Sequence, residues 1–90
     1  MAGATYTVQL TLVAERDLKK IKDETTRRRI AKAIDSLHTN PRPEGAVALQ
    51  GDRAILRLRV GDYRILYTVK DKALLVLVIR IGNRREIYRR

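Results

Sequence analysis

Leu56-Arg57-Leu58-Arg59-Val60-Gly61-Asp62-Tyr63-Arg64-Ile65-Leu66-Tyr67 is the stretch that decides the fold. Apolar and basic residues alternate through it. Leu56, Leu58 and Val60 point to one side of a strand, and Ile55, Arg57 and Arg59 to the other. Gly61-Asp62 is a two-residue hairpin signal, with glycine supplying the positive φ of a primed turn. A return strand from Tyr63 to Val69 then pairs antiparallel with the first. Tyr63 and Tyr67 share parity with Ile65 and Val69, which predicts that both rings pack in a core.

Outward from the hairpin, Lys70-Asp71-Lys72 turns the chain. Residues Ala73 to Ile81 hold the run Leu74-Leu75-Val76-Leu77-Val78-Ile79, the pattern of a central strand buried on both faces. Gly82-Asn83 ends it, and Ile87 and Tyr88 fall in a short basic tail. Upstream, Val47-Leu49 reads as a short extra strand. Asn40-Pro41-Arg42-Pro43 ends a helix, because a residue before proline is pushed out of the helical region. That helix carries Ile30, Ile34 and Leu37 on one stripe and runs from about Thr26 to Leu37. Asp23-Glu24-Thr25-Thr26 separates it from an earlier helix with the stripe Ala14, Leu18 and Ile21. Thr11 caps this first helix, with Glu15 in its first turn. Thr5 to Leu10 alternates as a strand.

Helices with one narrow apolar stripe each need a sheet to cover. The order β-α-α-β-β-β therefore predicts an α+β domain, an antiparallel sheet of about four strands covered on one face by an N-terminal helical hairpin. Residues 1–90 form a single domain able to hold one modest core. With no Trp and no Phe, that core is aliphatic.

The charge is lopsided. Twenty Lys and Arg against ten Asp and Glu give +10, and 14 of the bases are Arg. Residues 46–90 hold eleven bases and four acids, against nine and six in residues 1–45. Arginine suits bidentate recognition of phosphate and carboxylate, so a polyanion, either nucleic acid or an acidic protein, is the expected partner. The absence of cysteine excludes disulfides and thiolate zinc sites, and a single histidine leaves none over for an all-histidine metal site. No Gly-rich phosphate loop or paired-carboxylate arrangement occurs. No apolar run approaches the ~18 residues of a membrane span and no leader pattern opens the chain, so a cytoplasmic protein without a membrane partner is expected.

Antiparallel pairing can gather Arg57, Arg64 and Arg84 on one face, with Arg59 beside them and Arg80 and Arg85 at the end of the next strand. Such a face is either a solvated surface or a phosphate site, and crowded like charges favour the second because an anion offsets their repulsion. Arg27-Arg28-Arg29 fan out around a helix and read as a solvated face. Tyr88 suits base stacking or proton transfer. His38, at the end of the second helix, reads as a cation at a helix C-terminus.

The blocks Leu56–Tyr67 and Ile79-Arg80-Ile81-Gly82-Asn83-Arg84-Arg85-Glu86-Ile87-Tyr88 resemble the RelE family of toxins in the RelE/ParE superfamily. Leu49-Gln50-Gly51 is similar to that family's L-x-G step, and Glu15–Ile21 to its first helix. The resemblance implies the toxin of a type II toxin–antitoxin system, a ribosome-dependent endoribonuclease that cleaves mRNA in the ribosomal A site. It implies Arg57, Arg64, Arg84 and Tyr88 as catalytic residues and Arg59, Arg80 and Arg85 as RNA-binding residues. The implied partners are a cognate antitoxin, mRNA on the ribosome and ribosomal RNA, with no cofactor, metal or small-molecule substrate. Two positions depart from the pattern: Ile55 stands where some members have lysine, and Asn83 where many have histidine. The alternative is a ParE-like gyrase inhibitor, or a catalytically weak member acting by protein binding.

Overall fold

The structure, a computed structural model, describes residues 5–83. Arg84, Arg85, Glu86 and Tyr88 lie outside the described residues.

Strand β1 (Thr7–Leu10) leads into helix α1 (Leu12–Lys20), and α2 (Glu24–Ser36) follows. Then come β2 (Val47–Leu49), β3 (Asp52–Val60), β4 (Tyr63–Lys70), a 3-10 turn (Asp71–Ala73) and β5 (Leu75–Asn83). Both helices begin on capped ends. The Thr11 hydroxyl accepts the Ala14 amide at 3.0 Å, and the Asp23 carboxylate accepts the Thr26 amide at 3.2 Å and the Thr26 hydroxyl. Asp23 is thus the cap of α2, which starts at Glu24 rather than near Thr26, because the carboxylate satisfies an amide of the first turn. Those hydrogen bonds hold the Asp23 carboxyl below its usual range.

Five strands form one sheet in the order β1-β5-β4-β3-β2. The Gly61-Asp62 turn is as expected, with Gly61 at φ 60° and Val60 opposite Tyr63. The sheet departs from the all-antiparallel expectation at one edge: β1 pairs parallel with β5, Thr7 opposite Leu75 and Leu10 opposite Val78. The two helices and β2–β4 between them form the long crossover that a parallel pairing requires.

The helices cover one face. Ala14, Ile21, Ile30, Ile34 and Leu37 are buried there against Ile65, Tyr67, Val76, Val78 and Ile81. Tyr63 is partly buried against the same cluster, so both tyrosines of β4 pack as expected. Strand β5 is not the twice-buried centre of the sheet; β4 holds the middle. Val76 and Val78 are fully buried, whereas Leu75, Leu77 and Ile79, on the face without helices, are half-buried. Leu74 leaves the strand altogether, at φ 50° and exposed.

His38 differs from its expected role. Its Nδ1 lies 2.7 Å from the Tyr6 carbonyl, which can only accept, so Nδ1 carries the proton. The Tyr6 amide in turn donates to the His38 carbonyl at 2.7 Å. The residue therefore closes the start of the β1 edge instead of capping its own helix. Beside it, Arg42 donates twice to Asp71, at 3.0 and 2.8 Å, and the Tyr6 hydroxyl donates to the same carboxylate at 2.7 Å. This cluster ties the proline loop to the turn between β4 and β5. It lowers the Asp71 pKa to about 2, through the Arg42 hydrogen bonds first and that from Tyr6 next. The Tyr6 hydroxyl is pushed up by the same contact. Tyr67 reaches the loop from below, donating to the Pro41 carbonyl at 2.8 Å, and burial pushes its pKa to about 12.

Two outcomes test these ties. Tyr67→Phe strands the Pro41 carbonyl and should cost about 1 kcal/mol of unfolding free energy in a urea titration. Asp71 has a folded pKa depressed from the ordinary 3.8, so its ionic contribution is complete above about pH 4 and lost as pH falls through about 2. Asp71→Asn should therefore melt below the parent at pH 7, and the two melting temperatures should converge near pH 2. A gap that persists at pH 2 would show that charge is not the cause.

Candidate nucleic-acid interface

The face without helices carries the arginines. Register places Arg59 directly opposite Arg64, with Gly82 on the other side of Arg64. The next row on that face runs Val47, Arg57, Leu66, Arg80. Arg57 and Arg64 are therefore diagonal neighbours, as strand parity predicts, and Arg59 stands between them. Cβ atoms of directly opposed residues are ~4.5–5.5 Å apart, so Arg59 and Arg64 are forced to share one patch.

The guanidinium groups are held differently. Arg64 is only 7% exposed. Arg57 is half-buried and Arg59 exposed. The Arg59 Nε donates to the Gly61 carbonyl at 3.1 Å, folding the side chain back over its own hairpin. Around them lie Ile55, Leu66, Leu77 and Ile79, all half-buried. Ile55 occupies the strand position just before Leu56 on this face, so an aliphatic surface lies where a further cation would extend the patch. The result is a basic patch on an apolar floor, suited to an extended anion with apolar or planar parts.

Arg80, at the β5 end of that row, is tied to α1. A register shift after Leu66 turns this part of β5, and the Arg80 Nε donates to the Asp17 carboxylate of α1 at 3.0 Å. The same Asp17 oxygen accepts the Ile81 amide at 2.9 Å. Asp17 is a site residue that sequence reasoning did not find. Nothing in the charged helix Leu12–Lys20 marks it, because its role depends on the strand edge beside it. Of the three consecutive arginines of α2, Arg28 pairs with Glu24 at 3.0 Å and Arg27 donates to the Ile21 carbonyl at 2.9 Å. Arg29 lies beside the Gly61 turn, its Nη1 3.9 Å from where a Cβ would project. Among the described residues no three acidic or histidine side chains come together in a metal-binding group. Among them also, no helix is long and apolar enough to cross a membrane.

Comparison with known proteins bears on the family and the fold. A family described as "ParE toxin of type II toxin-antitoxin system, parDE" matches residues 8–88. The chain is 32% identical to Toxin RelG of Mycobacterium tuberculosis over 94% of its length and 98% of that protein's. Its fold matches the toxin–antitoxin complex RelBE2 of Mycobacterium tuberculosis with a TM-score of 0.75 at 28% identity, covering 90% of this chain and 93% of the other. The intact E. coli RelBE toxin–antitoxin complex matches with a TM-score of 0.74 at 25% identity, covering 87% of this chain and 95% of the other. The chain belongs to the RelE/ParE family of type II toxin–antitoxin toxins.

Proposed function

We propose that this toxin is a ribosome-dependent endoribonuclease that cleaves mRNA in the ribosomal A site. The observation that carries the reading is the pairing of Arg64 with Arg59, one desolvated and one exposed, with Arg57 one row away on an open sheet face. Preorganised cations in a partly dry site act most strongly on charge that develops during reaction. A phosphate attacked by its neighbouring 2′-hydroxyl develops such charge.

In the proposed step the 2′-oxygen bonds to phosphorus and the bond to the 5′-oxygen breaks. The 2′-hydroxyl proton goes to a base, and a proton is delivered to the leaving oxygen. Arg57, Arg64 and Arg84 offset the charge on the phosphorane; permanently protonated, they are poor bases. Tyr88, outside the described residues, is assigned as the base. Arg59, Arg80 and Arg85 hold RNA, both the message and ribosomal RNA. No metal or cofactor takes part. Control comes from a cognate antitoxin: an acidic, amphipathic segment would meet both the arginines and the apolar floor of Leu66, Leu77 and Ile79. The relatives RelBE2 and E. coli RelBE are themselves toxin–antitoxin complexes.

A gyrase-directed toxin is the second reading. The ParE description of the matching family and Asn83, which cannot titrate near neutral pH, favour it. Primer extension on translated mRNA separates the two: stops within codons accompany cleavage, whereas loss of supercoiling without RNA cuts marks gyrase inhibition.

A single 2′-deoxy nucleotide 5′ to the scissile phosphate should abolish cleavage and leave binding nearly intact, with 2′,3′-cyclic or 3′-phosphate and 5′-hydroxyl ends on the normal products. Arg57→Ala, Arg64→Ala and Arg84→Ala should each cost on the order of 2–4 kcal/mol of transition-state stabilisation. EDTA should have no effect. Tyr88→Phe should cleave far more slowly; a native rate would reduce Tyr88 to a stacking residue.

A further inference from the structure

A cavity of about 270 Å³ opens where the end of α1 meets β5. It lies between the end of α1 and the ends of β4 and β5, lined by Asp17, Lys20, Ile21, Tyr63, Arg80 and Ile81, together with Gly82. Its charged groups are one carboxylate and two cations. The carboxylate is already committed. Asp17, 10% exposed, accepts from the Arg80 Nε and from the Ile81 amide through one oxygen.

That commitment fixes Arg80 without exhausting it. Only Nε faces Asp17, and the side chain remains 44% exposed. A guanidinium held at Nε presents its two terminal amines as a fork of known direction, the geometry that matches two oxygens of a phosphate. Lys20, in the last turn of α1, adds a second cation to the same cavity wall. Tyr63 adds an aromatic side chain with a hydroxyl. Asp17 is thus a positioning residue, and Arg80 with Lys20 the anion-binding pair.

We propose that this cavity binds a phosphate of an RNA backbone, a second contact separate from the phosphate at Arg57 and Arg64. The proposal rests on the RNA-cleaving reading for its choice of RNA. Its chemistry alone would also admit free phosphate.

The test is an NMR titration of the full-length toxin, first with inorganic phosphate and then with a short single-stranded 2′-O-methyl RNA, which cannot be cleaved by 2′-hydroxyl attack. Amide signals of Lys20, Arg80 and Ile81 and the Arg80 Nε–H signal should move with both ligands, and at lower concentration with RNA. Lys20→Gln, an exposed helix-end change that leaves the core intact, should weaken RNA binding about tenfold at low salt. It should also reduce the log–log salt slope by about 0.7, one phosphate contact to a single strand. Arg80→Lys keeps the charge but loses the fork. It should weaken RNA binding even where its melting temperature matches the parent.

Shifts confined to the Arg57–Arg64 face, with an unchanged slope in Lys20→Gln, would overturn the site. A response to phosphate without one to RNA would overturn the assignment to an RNA backbone. Failure of the cleavage assay with this cavity still responding to RNA would remove the endonuclease reading and leave the site. Normal cleavage with a silent cavity would remove the site alone.

Discussion

The outer edge of β5 is the constraint on which the rest of the molecule depends. A strand of nine residues offers donors and acceptors along its whole length, but β1 is only four residues long and covers the first part. Beyond Leu10 the edge is completed by side chains and one amide. The Thr11 amide donates to the Val78 carbonyl at 3.0 Å and the Thr11 hydroxyl to the Ile79 carbonyl at 2.8 Å. Nearly two helical turns later Asp17 accepts the Ile81 amide. The same segment that ends the strand therefore begins the helix and continues the pairing. Thr11 serves both, capping α1 through its oxygen lone pairs while donating its proton to β5. An unpaired strand edge invites association with other chains, and this one is closed without a further strand.

This arrangement also decides where positive charge can lie. Because the helices are anchored to β5 at one edge, they cover only one face, and the arginines of β3 and β4 are left on the other. A net charge of +10 on so small a domain is self-repelling, and register sharpens the repulsion by setting Arg59 opposite Arg64. Among the described residues, Asp17 pairs with Arg80, Asp71 with Arg42 and Glu24 with Arg28. The ion pairs at Glu24 and Asp71 are substantially exposed and contribute little each.

Much of this was legible in the sequence, for identifiable reasons. The stripes Ala14–Leu18–Ile21 and Ile30–Ile34–Leu37 announce helices because both recur at helical spacing, and all of these residues pack in or against the core. Gly61 announces the hairpin because few other residues tolerate its φ, and the hairpin then sets the parity of Arg57, Arg59 and Arg64. The parallel union of β1 with β5 was not legible. Pairing across so long a separation leaves no local mark, and Thr5–Leu10 reads the same whichever direction its partner runs. Asp17 and the Arg42–Asp71–Tyr6 cluster were hidden for the same reason: each joins ordinary surface residues that only the closed sheet brings together. Strand β5 misled by composition, since Leu75, Leu77 and Ile79 are as apolar as a covered face while lying on the half-open one.

The union of β1 with β5 has a temporal consequence. Thr11 and its partner Ile79 are 68 residues apart. At a synthesis rate of ~5–20 residues per second, roughly 3–14 s pass between the making of the first and of the second. Through that interval α1 and α2 have no sheet to cover, since the valines and isoleucine of β5 that complete the core do not yet exist. The β3–β4 hairpin can close locally, but a lone hairpin is marginal in water. The strand that flanks Arg64 on its far side is the last to be made, so the arginine face gains its second border late in synthesis.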